Sequence, residues 1–568
     1  MSKQVSRGQR WRSVVTSPAC VDWLITIALA LAYLSWLVAT CDSLGYTRDE
    51  GFYFQAARTY GKWFELLASD PLRALGAEAV DRYWKENREH PALMKSLFWA
   101  SDALLHGRVF AEQGTAMRLP AMLLSALGVG VIFAWGRRVS GRAAGLDAAL
   151  SFAGLPHVFF HEHLACFDMP IVSLWLITGY AYYLSLLRSG YGWAIVTGLL
   201  YGLMLNTKHN AWLMPPALLL HLLIARVALY RQGRPLRELW RPPRALVSMA
   251  LIGPLVLYAT WPWIWRDTLE RFSWYARFHL QHVYYNMEFL GRTYFEPPFP
   301  RSYAWLMTLG TVPAITLLLA AVGALAVGVA RLERWRGARR EPSLAAAPEG
   351  ATADGGWASL WLLFIVLSYA AWLSSSTPIF GGTKHWLQAY PFIALFAGHG
   401  FAEVVKRAPE LATSWQRRAL VGLLGACVVA APLLMTAHSH PNGLSNYTPL
   451  VGGVPGAASL GLNRGFWGHQ TGMVTEFIDD AAPERANVFM HDTAAQSFRM
   501  LQSDGRLRRD LRGTLSVAGS SIAIYHHEQH MSRVEHMIWT DYGTTRPATV
   551  GTLDGVPLIW VYERPEGP

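Results

Sequence analysis

At 568 residues the chain is long enough for several soluble domains, yet 52% of it is hydrophobic and the apolar residues gather into blocks about one bilayer span long. Its net charge of +11 lies in alternate loops between those blocks rather than on one face, so the basic balance reports membrane topology and nucleic-acid binding is excluded as its cause. Four scattered cysteines exclude a disulfide framework.

In chain order the apolar blocks are Trp23–Thr40, Leu119–Trp135, Ala143–Phe160, Met169–Leu187, Trp193–Leu205, Ala211–Leu229, Ala245–Trp263, Tyr303–Ala330, Trp357–Trp372, Trp386–Val405 and Leu420–Met435, which predicts eleven membrane helices. No clean small-residue cleavage site follows the first block, so it reads as a span rather than a cleaved signal peptide. Lys3 to Arg12, Arg137 to Arg142, Arg188, Arg226 to Arg244, Arg331 to Arg340 and Lys406 to Arg418 then all fall on the cytoplasmic side. Residues 1–22 are expected to be a cytoplasmic N-terminus, 23–436 the membrane part and 437–568 an extracytoplasmic domain. Within the membrane part, 41–117 forms a long outer loop with amphipathic helices, and 331–356 ("EPSLAAAPEGATADGG") a cytoplasmic linker. In the tail, "ANVFMH" and "SSIAIYHH" read as strands and "TVGTLDGVPLIWVYE" as a hairpin turning at Asp554-Gly555, giving a small α/β domain. His526, His527 and His530 are expected on its solvated surface.

Outer loops normally avoid lysine, so the polar residues at the outer ends of the spans carry information. These are Asp49-Glu50, Lys95, His161-Glu162-His163 with Asp168, Lys208 and Lys384. Taken singly, each has a plainer explanation. Asp49-Glu50 can cap a helix, and Lys208 and Lys384 can snorkel to the interface. His161 and His163 splay apart on a helix, so no metal site is expected. Together they supply what a site needs to bind a phosphate and take a proton from an attacking hydroxyl.

As a set these residues resemble the GT-C polyprenyl-phosphate glycosyltransferases. From about Tyr46 to Gly400 the chain is similar to glycosyltransferase family 39, the protein O-mannosyltransferases and their bacterial relatives, and more distantly to the lipid A aminoarabinose transferases. "RDEGFY" resembles the family's acidic motif, which implies Asp49 as general base with Glu50 supporting it and Arg48 beside the substrate. "HPALMK" resembles "HPPLGK" and keeps His90, Pro91 and Lys95. "HLACFDMP" matches at Asp168, with His163 where the family has arginine. "GLMLNTKHN" supplies Lys208, and "PIFGGTKHW" resembles a late-loop motif with Lys384 and His385; the resemblance implies Lys208, Lys384, His385 and Lys95 at the donor phosphate, Asp168 with the catalytic carboxylates, and His90 and His163 beside the substrate. The resemblance implies a polytopic α-helical membrane protein with a GT-C-like fold. It implies transfer of a sugar from a polyprenyl-phosphate donor to a hydroxyl acceptor, with inversion, and no firmly implied cofactor. No loop is long enough for the β-trefoil insert of the eukaryotic O-mannosyltransferases, so protein, glycolipid and polymer acceptors all stay open. The expected setting is a bacterial inner membrane, with the site and the C-terminal domain facing the periplasm or exterior. A transporter or flippase for lipid-linked substrates is the competing reading. Its charges would sit near the bilayer midplane, often within internal repeats, and no repeat is evident here.

Overall fold

A computed structural model describes residues 18–231, 242–340, 356–379, 381–407 and 414–565. The basic run Lys3 to Arg12, Arg234 to Arg241 and most of the 331–356 linker lie outside the described residues.

The apolar blocks fold as helices, and the chain is a polytopic α-helical membrane protein. Six described helices are long and apolar enough to cross a bilayer: Ala19–Ser43, Gln113–Ser140, Asp168–Leu187, His209–Tyr230, Ala314–Arg336 and Ser414–Ser439. The expected count of eleven is not reached on this criterion. Ala143–Phe160, read as one span, is two helices, Arg142–Ala153 and Pro156–His163, bent by 68°. Pro156 has no amide hydrogen and its ring clashes with the preceding turn, so the helix breaks at Gly154-Leu155. Gly192–Leu205, Arg244–Thr260 and Trp357–Leu373 are apolar but shorter. At 1.5 Å per residue such helices fall short of a hydrocarbon core about 30 Å thick.

The 41–117 loop, expected on the outer face, is helical, with Arg48–Ser69, Ala77–Trp84 and Leu93–Leu105 as its main helices. Tyr53, Phe54, Ala57, Tyr60 and Trp63 recur at helical spacing and bury one side of the first of these.

The strands are β1 (Met287–Phe289), β2 (Arg292–Tyr294), β3 (Asn487–Met490), β4 (Arg512–Thr514), β5 (Ile522–His526), β6 (Thr549–Leu553) and β7 (Val556–Glu563). β1 and β2 form a small ribbon, and the others form a sheet in the order β4-β3-β5-β7-β6. Within it β3 runs parallel to β4 and β5, while β7 is antiparallel to β5 and β6. Asp554 and Gly555 both have positive φ, the backbone a two-residue hairpin turn requires.

The C-terminal sheet shares a core with the first outer loop. Tyr46, Phe54, Met94 and Phe167 belong to the same buried cluster as Val488, Phe498, Ile524 and Val561. At Gly51 a side chain would stand 2.5 Å from Ser497 Oγ, so only glycine lets the Arg48–Ser69 and Ala495–Ser503 helices cross this closely. His526, expected on the surface, is buried, and its amide donates to His491 Nδ1 at 3.0 Å. His530 is also drawn in, bonding Glu288 Oε1 at 3.0 Å through both its amide and Nδ1.

Candidate active site

The residues expected on the outer face converge through the start of one helix. Thr47 caps Arg48–Ser69: its hydroxyl accepts the Glu50 amide at 3.3 Å, while the Glu50 carboxylate accepts the Thr47 amide at 2.9 Å. Glu50 also accepts Arg118 Nε at 2.7 Å, Arg118 Nη2 at 2.9 Å and the Ala165 amide at 3.0 Å. Both Glu50 and Arg118 are fully buried, and Arg118 reaches on to the Gly45 carbonyl at 2.7 Å. The capping explanation therefore fits Glu50, which ties the helix start to the Gln113–Ser140 helix and to the His163–Asp168 turn. Asp49, one residue earlier, takes no part in the cap.

Asp49 faces Lys384, with Nζ 3.6 Å from Oδ2, its side chain 21% exposed against 7% for the lysine. Lys384 also lies 4.1 Å above the Trp467 ring. Burial pushes its pKa below the usual lysine value, against the upward pull of Asp49 and Asp168. Gly381 and Gly382, both at positive φ, turn the chain before it; a Cβ at Gly381 would stand 2.4 Å from Lys384 Cε. Asp168, first residue of its helix, accepts Lys208 Nζ at 2.6 Å, and both side chains are largely buried. Neither lysine snorkels. Lys384 interacts electrostatically with Asp49, Asp168 and Lys208 together, so two carboxylates and two ammonium groups from four separate segments form one cluster.

The other expected site residues lie around this cluster or apart from it. Arg48 donates to Asp492 Oδ1 at 2.7 Å, and its amide donates to the Trp467 carbonyl at 2.7 Å, joining the cluster to the C-terminal domain. Burial raises the pKa of the Asp492 carboxyl, with Arg48 opposing. His90 is half-buried beside Phe167, with ring centroids 4.8 Å apart, and desolvation of the ring holds its pKa well below the usual value. His385 packs on Trp372 at 4.6 Å. His163 has both ring nitrogens engaged, Nδ1 with the Phe159 carbonyl at 2.7 Å and Nε2 with the Thr40 hydroxyl at 2.9 Å.

Lys95 is fully buried. It donates to the carbonyls of Asn87 at 2.6 Å and His90 at 2.8 Å and to Asn87 Oδ1 at 3.2 Å, and burial pushes its pKa down to about 7. Its donors brace the loop that seats on the end of the Gly192–Leu205 helix, where the Ala92 amide donates to Asn206 Oδ1 at 3.0 Å. Lys95→Met strands those acceptors, at about 1–3 kcal/mol for each one left unsatisfied. The expected result is a lower unfolding temperature in detergent with donor KM changed less than about threefold. A large KM rise at unchanged stability would instead make Lys95 a donor contact.

Several residues here carry no mark that the sequence reading used. Arg118 stands just before the second apolar block, at the end where the topology expects few cations, whereas Asp492 and Trp467 come from the distant tail. His161 lies within the cluster's field, among Asp168, Lys384 and Lys208. A cleft of about 380 Å³ lined by Arg88, Trp263, Arg271 and Trp274 contains none of the cluster residues. Among the described residues no three His, Cys, Asp or Glu are placed to hold a metal ion.

Residues 96–261 match the model of a family described as dolichyl-phosphate-mannose-protein mannosyltransferase. The match falls inside the Tyr46–Gly400 stretch and bears out the GT-C, family-39-like resemblance. Among curated proteins nothing matches. Among solved structures, the chain is similar to ArnT from Cupriavidus metallidurans bound to undecaprenyl phosphate, at 14% identity and a TM-score of 0.46, covering 95% of this chain and 97% of that one. It is also similar to the archaeal oligosaccharyltransferase AglB from Archaeoglobus fulgidus in complex with an inhibitory peptide and a dolichol-phosphate. That likeness has 10% identity and a TM-score of 0.46, covering 91% of this chain and 71% of that one. Likenesses at this level fix neither a substrate nor a residue's role.

Proposed function

We propose that this protein is a membrane glycosyltransferase that moves a sugar from a polyprenyl-phosphate donor to a hydroxyl acceptor at the outer face of the membrane. The observation that carries this reading is the Asp49, Asp168, Lys208 and Lys384 cluster, beside the family match over residues 96–261. The charges along the Gln113–Ser140 helix support this orientation. Arg118 in its second turn joins Glu50 beside the cluster, while Arg137 and Arg138 occupy its other end, on the side where positive charge is retained.

The acceptor oxygen attacks the anomeric carbon from the face opposite the phosphate, and the bond from that carbon to the phosphate oxygen breaks. Asp49 takes the acceptor's proton. The bonding pair leaves with the phosphate, whose charge changes from one negative to two, and the anomeric centre inverts. No strong general acid is required, because the leaving group is a phosphate. The growing charge needs fixed cations, which Lys208 and Lys384 supply in a largely buried setting where electrostatic stabilisation is strong. Asp168 positions Lys208. The prenyl chain lies along the apolar helix surfaces, in the bilayer.

Lys208→Met is expected to lower kcat about 100-fold or more, as loss of a preorganised charge stabiliser does. The check is steady-state transfer of labelled sugar by protein in liposomes. An unchanged kcat with this variant would remove Lys208 from the transition state.

A further inference from the structure

The Pro156–His163 helix carries three buried histidines, and two are fully accounted for by protein contacts. His157 engages Thr383 Oγ1 at 3.0 Å and the Asn446 carbonyl at 3.0 Å. His163 engages the Phe159 carbonyl and the Thr40 hydroxyl. His161 is equally buried, at 1% exposure, yet neither of its ring nitrogens has a hydrogen-bond partner. A neutral imidazole has one donor and one acceptor, and buried polar atoms are almost always paired with protein, water or ligand.

Its surroundings indicate which partner would suit it. The ring stands edge-on to Trp467 at 5.5 Å, and Lys384 Nζ rests 4.1 Å from the same indole. The charges acting on it include Asp168, Lys384 and Lys208. An unpaired donor in the field of two ammonium groups, sharing the Trp467 ring with one of them, suits an anion with several acceptor oxygens.

We propose that His161 is a phosphate-binding residue, donating a ring N–H to a non-bridging oxygen of the lipid-linked phosphate alongside Lys208 and Lys384. This rests on the reading of the cluster as a phosphate site. The hydrogen bond is present with the donor and with the polyprenyl phosphate left after transfer, so product binding reports it without turnover.

The test measures binding of undecaprenyl phosphate, and separately of inorganic phosphate, to the purified full chain in detergent. It compares wild type with His161→Phe, His161→Gln and His161→Asn. Phenylalanine keeps the contact with Trp467 but has no donor, and is expected to weaken undecaprenyl phosphate binding about 10- to 100-fold, the range for a hydrogen bond to a charged group. At least one amide variant is expected to recover most of that loss. A packing role gives the reverse order, with Phe retaining binding and both amides losing it, and overturns the proposal. Equal binding by wild type and His161→Phe also overturns it. Loss with both ligands assigns His161 to phosphate as such, and loss with the lipid alone assigns it to the membrane-anchored form. Wild type binding neither ligand overturns the phosphate-site reading itself, a result distinct from normal wild-type binding with an indifferent Phe variant. If His161→Phe does not fold, the imidazole ¹⁵N resonance of His161 in wild type, identified by its absence from the Gln variant, is expected to shift on adding undecaprenyl phosphate. An unmoved resonance at saturation overturns the proposal.

Discussion

Asp49→Asn is expected to cut sugar transfer by about 100- to 10,000-fold, the usual loss on removing a general base. The substitution is nearly isosteric, leaves the helix cap to Thr47 and Glu50, and touches a side chain that is 21% exposed. Its effect on stability is therefore confined to the first-turn dipole and the Lys384 contact, where Asp168 remains as a second carboxylate acting on the lysine. Undecaprenyl phosphate binding is expected to stay within a few-fold of wild type, because Lys208, Lys384 and His161 remain. The predicted signature is a collapse of kcat with folding and product affinity preserved. Transfer by Asp49→Asn liposomes at the wild-type rate would sink the base assignment.

Glu50, its neighbour, is expected to behave in the opposite way. Glu50→Gln leaves the Arg118 guanidinium buried without its counter-charge, and Arg118→Met leaves the carboxylate in the same state. Breaking a buried pair from one side costs about 3–5 kcal/mol, a large share of a stability of about 5–15 kcal/mol. Each single variant is expected to unfold at clearly lower temperature in detergent and to reach the membrane in reduced amount. The double variant is expected to lose less than the sum of the two, since the residues share one interaction. Thermal unfolding of the four proteins measures this. If Glu50→Gln kept wild-type stability while losing turnover, Glu50 would belong to the chemistry, as the family resemblance implies.

The membrane helices were readable because an uncharged apolar run has few other uses. The break within Ala143–Phe160 was also written in the sequence, as "GLP" before His157, but hydropathy alone passes over it. Asp49, Asp168, Lys208 and Lys384 stand out because each is an ionisable residue at the end of an apolar run, and the structure pairs Asp49 with Lys384 and Asp168 with Lys208, with Lys384 in the field of both carboxylates. Lys95 carried the same sequence signal but braces a loop, because a motif position does not reveal which acceptors lie within reach of an ammonium group. The Arg48–Asp492 and Lys384–Trp467 contacts join residues separated by hundreds of positions or by unrelated segments, and no local pattern announces them. His161 is visible in the sequence beside His163; only the lack of a hydrogen-bond partner in the protein separates it from His163 and from His157.

The most direct measurement offers a panel of polyprenyl-phosphate sugars to the purified protein in liposomes with cell-envelope acceptors, and follows free polyprenyl phosphate together with the anomeric configuration of the product. A transferase built on this cluster releases polyprenyl phosphate from at least one donor, only when acceptor is present, with the sugar linkage inverted and the release lost in Asp49→Asn. Donor that crosses the bilayer intact, with no polyprenyl phosphate released from any member of the panel, would contradict it.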